Sequence, residues 1–152
     1  MKKIGILLLF QALICLPALQ AQKEDKAIKA VINQFFEGME KHDTAMLKKT
    51  CTASPVLQTF MNDREGNMQV FTEDFADFVK FVGSPSKDHY KEVIEFGNIQ
   101  YEKSLASVWT PYKFYINDKV SHCGTNSFQM VKTTEGWKIQ YIIDTRRKGC
   151  KD

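Results

Sequence analysis

The chain has 152 residues, with 21 Lys and Arg against 18 Asp and Glu and a formal net charge of +3. That length suits one domain whose core needs no disulfide scaffold, and the near balance of charge leaves no basic stripe for nucleic acid. Its three histidines, His42, His89 and His122, are scattered, and no C-x-x-C or H-x-x-x-H pair occurs, so neither a metal site nor a cofactor is expected.

The opening segment MKKIGILLLFQALICLPALQAQ joins Lys2 and Lys3 to an apolar run from Ile4 to Leu16, then to Pro17 and small or polar residues around Ala21. This order predicts a cleavable signal peptide over residues 1–21 and a secreted or periplasmic product. The apolar run is shorter than the roughly 20 residues of a membrane span, so no stable membrane insertion is expected once it is removed. Cys15 follows Ile14 rather than a small residue, which weighs against lipidation. Taking 21 residues from 152 leaves one domain, 22–152, of 131 residues. It keeps Cys51, Cys123 and Cys150, an odd number whose pairing is open.

From Asp25 to Lys41, Ile28, Val31, Ile32, Phe35, Phe36 and Met39 recur at three- and four-residue steps, the apolar face of a helix. A second short helix is expected after Asp43, whose carboxylate caps free amides better than it would serve catalysis. PVLQTFMNDREGNMQVF reads as a hairpin turning at Asn62 to Asn67. TEDFADFVKFVGSP reads as a third helix, opened by acids and closed by Gly83 and Pro85, with Phe71, Phe75, Phe78 and Val82 as its stripe. From Tyr90 the chain becomes strand-rich. One run passes through Tyr101, another covers Ala106 to Ile116, and turns at Asn117-Asp118 and Thr133 to Gly136 separate a third ending at Lys132 from a last over Trp137 to Arg147. Helices followed by a long antiparallel meander make an α+β class.

The element order, and the text FVKFVGSP followed by VWTPYKFYINDKVSHCGTNSFQMVKTTEGWKIQYIIDTRR, resembles the nuclear transport factor 2-like superfamily, the cone fold of ketosteroid isomerases and polyketide cyclases. Within it the text is similar to a secreted bacterial branch labelled lumazine-binding. The resemblance implies three N-terminal helices packed on a strongly curved antiparallel sheet, with an apolar pocket between them. Chemistry does not transfer with this fold, so the pocket has to be argued residue by residue.

If Lys132 pairs with Trp137, paired positions in the last hairpin sum to 269. His122, Gly124, Asn126, Phe128 and Met130 then share the inner face with Ile139, Tyr141, Ile143, Thr145 and Arg147, while Cys123 and Asp144 point out. One bulge residue near Asn117-Asp118 turns Tyr112 and Phe114 inward; without it Trp109 takes the inner face instead, and the bulged register gives the more apolar set. Pro111 in that strand fits a bulge or an edge.

An apolar wall that becomes polar at one end is the form of a small-molecule site. Tyr112, His122, Asn126, Phe128, Tyr141 and Arg147 are therefore the expected pocket residues, with Trp109 in reserve and the Phe75/Phe78 helix as the cover. The first expectation is a binder of a small apolar or aromatic molecule, an anionic one included. The alternative is a ketosteroid isomerase or cyclase-like enzyme with His122 as the catalytic base; an inner Asp144 would put a carboxylate base ahead of simple binding. An interaction module that forms a homodimer through its sheet is the third class.

Overall fold

The computed structural model describes residues 4–150, with side chains from Gln20 onward. Most of the expected signal segment therefore lies outside the described side chains. Among the described residues no helix is long and apolar enough to cross a membrane.

Helix α1 spans Ile4–Glu40 and buries Ile28, Ile32, Phe35 and Phe36, the stripe that three- and four-residue spacing dictates. Its start in the core is fixed by Glu24, whose carboxylate accepts from Lys132 Nζ at 2.7 Å and from Trp137 Nε1 at 2.8 Å. After Gly38 the chain reverses through His42, at φ 56°, into α2 (Thr44–Thr50). Asp43 caps α2 as expected, accepting from the Met46 amide at 2.8 Å. A Cβ on Gly38 would lie 3.0 Å from the Leu47 amide nitrogen, so the close crossing of α1 and α2 explains a glycine late in a helix.

The early hairpin is β1 (Cys51–Asn62) and β2 (Met68–Glu73). Helix α3 (Phe75–Gly83) follows, capped by Asp74, which accepts from the amides of Ala76 and Asp77. Phe71 stays outside α3 on β2. The meander comprises β3 (Tyr90–Ile94), β4 (Ile99–Tyr101), β5 (Leu105–Ile116), β6 (Lys119–Thr133) and β7 (Gly136–Arg147). The strand order is β2-β1-β7-β6-β5-β3, with β4 also on β5. Three helices thus pack on a curved, unclosed sheet, the α+β arrangement expected. One pair departs from the all-antiparallel expectation: β1 runs parallel to β7, because the chain crosses from one side of the sheet to the other between them.

Bulges bend this sheet. One falls between Phe114 and Tyr115, so that Phe114 faces His122 while Tyr115 faces Val120. It sends Ala106, Val108, Thr110 and Tyr112 into the core and leaves Trp109 outside, 53% exposed, which corrects the reserve place given to Trp109. Pro111 is neither at an edge nor at the bulge. It lies opposite the break between β3 and β4, where its carbonyl accepts from the Glu95 amide at 2.9 Å.

A second bulge changes the last hairpin. The sum of 269 holds from Lys132–Trp137 to Met130–Ile139, then becomes 270 from Gln129–Tyr141 to Cys123–Arg147, with Gln140 as the extra residue. Gln140 is held out of the ladder by β1, accepting from Thr52 Oγ1 at 3.0 Å and donating to the Ser54 carbonyl at 3.2 Å. Beyond it every side chain of β7 changes face. Ile142, Asp144 and Arg146 point into the cone, and Tyr141, Ile143, Thr145 and Arg147 do not, contrary to expectation.

Candidate functional site

Between α1, α3 and the inner face of the sheet lies a cavity of about 380 Å³, within the size range of ligand pockets. The structure brings Tyr112, His122, Asn126 and Phe128 together in its wall. Two other expected residues lie elsewhere. Tyr141 is turned outward, its hydroxyl donating to Gln58 Oε1 at 2.7 Å. Arg147 lines a separate depression on the outer face beside Cys123 and Cys150. Phe78 covers the cavity, stacked on Phe35 with centroids 6.0 Å apart, whereas Phe75 packs against the core without lining it.

Four strands place the polar end of the cavity. Thr110, Asn126, Asp144 and Thr59 follow one another across β5, β6, β7 and β1 in register. Asp144 is buried and takes hydrogen bonds from Thr59 Oγ1 at 2.6 Å, Tyr112 Oη at 2.8 Å and Arg146 Nε at 3.1 Å. Arg146 also donates to Thr59 Oγ1 at 3.1 Å, closing a ring of three side chains, Asp144, Thr59 and Arg146, to which Tyr112 is bonded through Asp144. The Tyr112 ring reaches Asp144 only because Gly124 stands between them. A Cβ there would overlap the Thr145 carbonyl oxygen and come within 2.7 Å of Tyr112 Cε1. Burial pushes the Tyr112 phenol far above its usual range, and the adjacent Asp144 charge adds to the effect, so the phenol stays a donor.

Glu92 enters from β3, where Tyr90, Glu92 and Ile94 alternate inward. Its Oε1 accepts from Asn126 Nδ2 at 2.8 Å. Burial raises its pKa to about 7; the Asn126 hydrogen bond and Arg146 oppose the rise and Asp144 adds to it. Glu73, at the end of β2, is raised by burial as well. His122 stacks on Phe114 at 4.9 Å and meets Tyr112 edge-on at 5.8 Å. Burial, helped by Arg146, lowers its pKa, so it is neutral at pH 7.

Sequence reasoning missed Glu92, Glu73, Thr59 and Arg146, and it placed Asp144 on the outer face, whereas Asp144 lines the cavity. The alternation of TyrLysGluValIle was a usable signal for Glu92; Asp144 and Arg146 were hidden by the Gln140 bulge. Among the described residues no group of His, Cys, Asp and Glu is arranged to hold a metal ion. The expected external position of Cys123 is met by a disulfide to Cys150, with Cα atoms 5.9 Å apart and Gly149 at φ 75° making the turn. Among the described residues Cys51 is a buried free thiol.

No family model and no curated protein matches the chain. Solved structures do. An NTF2-like protein with a cystatin-like fold from Novosphingobium aromaticivorans is 10% identical, covers 99% of this chain and 94% of its own, and superposes with a TM-score of 0.69. A protein of unknown function from Mycobacterium tuberculosis is 10% identical over 88% of this chain and 77% of its own, with a TM-score of 0.68. An NTF2-like protein of unknown function from Shewanella baltica is 17% identical over 84% of this chain and 96% of its own, at 0.62. Likeness at this identity speaks for architecture rather than chemistry: the chain has the nuclear transport factor 2-like, cystatin-like fold.

Proposed function

We propose that this is an exported domain that binds a small, ring-bearing, largely apolar molecule inside the cone. One observation supports it above the rest: an aromatic cavity of about 380 Å³ ends on a buried cluster of polar groups. Apolar area supplies the affinity of such a site, and a few convergent polar groups set the orientation. The branch label suggests lumazine as one compound to try. Export rests on the pattern of residues 1–21 alone, and intact mass of the protein from a periplasmic fraction tests it.

Differential scanning fluorimetry against a panel of neutral, cationic and anionic ring compounds tests binding. Leu57→Trp and Met39→Trp each place an indole in the cavity from a different element. Compounds that raise the melting temperature of the unmodified protein should lose that effect in both variants. A panel without any stabilising compound, or stabilisation that survives both fillings, would refute cavity binding.

The inner position of Asp144 is the arrangement that favours a carboxylate-base enzyme, and Glu92 gives that second reading a specific candidate. A carboxyl near pKa 7 is well matched to moving protons at neutral pH. Asp144 itself is less suited, since three donors already hold its oxygens. The same hydrogen bonds weigh against an enolate mechanism. Tyr112, Thr59 and Arg146 donate to Asp144 and Asn126 donates to Glu92, which leaves His122 to meet a developing oxyanion. Binding therefore stays in front. Exchange of the α-protons of a cyclic enone in heavy water, followed by NMR, distinguishes the two: exchange accelerated by the protein and abolished in Glu92→Gln would establish the enzyme.

A further inference from the structure

The wall around Glu92 is aromatic. Tyr90, Phe114 and His122 form a stacked series, with centroids 6.2 Å and 4.9 Å apart, and Phe81 extends it at 5.8 Å from Tyr90. Glu92 Oε1 has Asn126 as its donor, whereas the second carboxylate oxygen has no protein donor among the described residues. Glu73 brings another carboxyl to the same cavity from β2. Among the described residues, the one Lys or Arg side chain in the lining is Arg146, and it is already bonded to Asp144 and Thr59.

These groups set the sign of charge that the cavity accepts. Aromatic faces carry negative potential and attract cations, by about 0.5 to 2 kcal/mol as water is excluded. A carboxylate oxygen without a donor attracts a cation too, and it repels an anion. Arg147, which suggested an anionic ligand, lies on the outer face. We propose that the cavity selects organic ammonium ions, small molecules joining a ring to a protonated or quaternary nitrogen, with the nitrogen seated against Glu92 within the aromatic wall.

This assignment rests on the cavity-binding reading and adds the class of ligand. It also implies a linked proton. The groups facing Glu92 are Tyr112 on β5, His122 and Asn126 on β6, Asp144 and Arg146 on β7, and Glu73 on β2; α1 and α3 contribute apolar side chains to the lining. A cation beside Glu92 favours its ionised form, so binding at neutral pH should expel a proton.

Isothermal titration calorimetry at pH 7 with benzyltrimethylammonium, benzyl alcohol and benzoate tests the assignment. Running it in two buffers of different ionisation enthalpy counts protons. The ammonium should bind about tenfold more tightly than benzyl alcohol, benzoate should bind weakest, and proton release should accompany the ammonium alone. In Glu92→Gln the preference for ammonium over the alcohol should largely disappear, and proton release with it. Benzyl alcohol or benzoate binding as tightly as the ammonium would overturn the ammonium assignment and leave cavity binding intact. Failure of all three to bind up to their solubility limits would overturn both.

Discussion

At the scale of single residues, the sheet behind the polar end of the cavity holds an unpartnered buried hydroxyl and a close backbone approach, and the two respond oppositely to substitution. Thr110 is fully buried, and its Oγ1 has no hydrogen-bond partner. A buried hydroxyl without a partner costs about 1 to 3 kcal/mol, and a methyl of similar shape does not. Thr110→Val should therefore hold or raise stability, by up to about 1 kcal/mol, and urea denaturation would show it; a loss of that size would mean the hydroxyl is bonded. Gly124 is the opposite case. Adding a methyl there drives it into the Thr145 carbonyl and the Tyr112 ring, neither of which is a flexible side-chain end. Gly124→Ala should cost about 2 to 3 kcal/mol through overpacking and backbone shift. It should also detach the Tyr112 hydroxyl from Asp144, which a crystal structure of the variant would reveal.

At the scale of elements, legibility in the sequence followed the range of the interaction that decides each feature. Asp43 as a cap and Asn117-Asp118 as a two-residue turn are settled by their own backbone. The turn residues sit at φ 51° and 62°, the left-handed region that Asn and Asp tolerate, and both features were readable. The bulge at Gln140 is settled by Thr52 and Ser54, more than eighty residues away, and alternation within β7 carries no trace of it. Hence Tyr112, His122, Asn126 and Phe128 could be placed before the bulge intervened, and Tyr141 and Arg147 could not. Pairing of Cys123 with Cys150 was open for a related reason, since it depends on the turn at Gly149. That bridge spans 27 residues and adds a closed loop to the unfolded chain. Reduction should cost about 2 to 3 kcal/mol, slightly less than loop entropy alone would give, because the freed tail beyond β7 regains motion in the folded protein. Thermal unfolding of Cys123→Ser would give the value, and an unchanged midpoint would show that the bridge constrains only the tail.

At the scale of the whole molecule, enclosing Glu92 in the cone makes stability depend on pH in a direction uncommon for a carboxylate. Its folded pKa, about 7, is above the ordinary value of 4.5, so the folded protein holds a proton that the unfolded chain has lost. Stability is then undiminished below about pH 4.5, falls as pH rises toward 7, and is level beyond. With each pKa unit equivalent to about 1.4 kcal/mol, the fall is at most about 3 kcal/mol, since Glu92 keeps some contact with solvent through the cavity. Glu73, raised in the same sense, adds to the fall. His122 opposes it, because a lowered histidine pKa makes stability rise with pH up to the unfolded value of 6.5. Comparing the protein with Glu92→Gln cancels both background groups. The stability difference, unmodified minus variant, should drop by about 2 to 3 kcal/mol between pH 4.5 and 7 and stay constant from 7 to 8.5 in urea titrations. A difference that does not change with pH would show that the Glu92 carboxyl is solvated as if exposed, and the enclosed acid on which the cavity's chemistry depends would not exist.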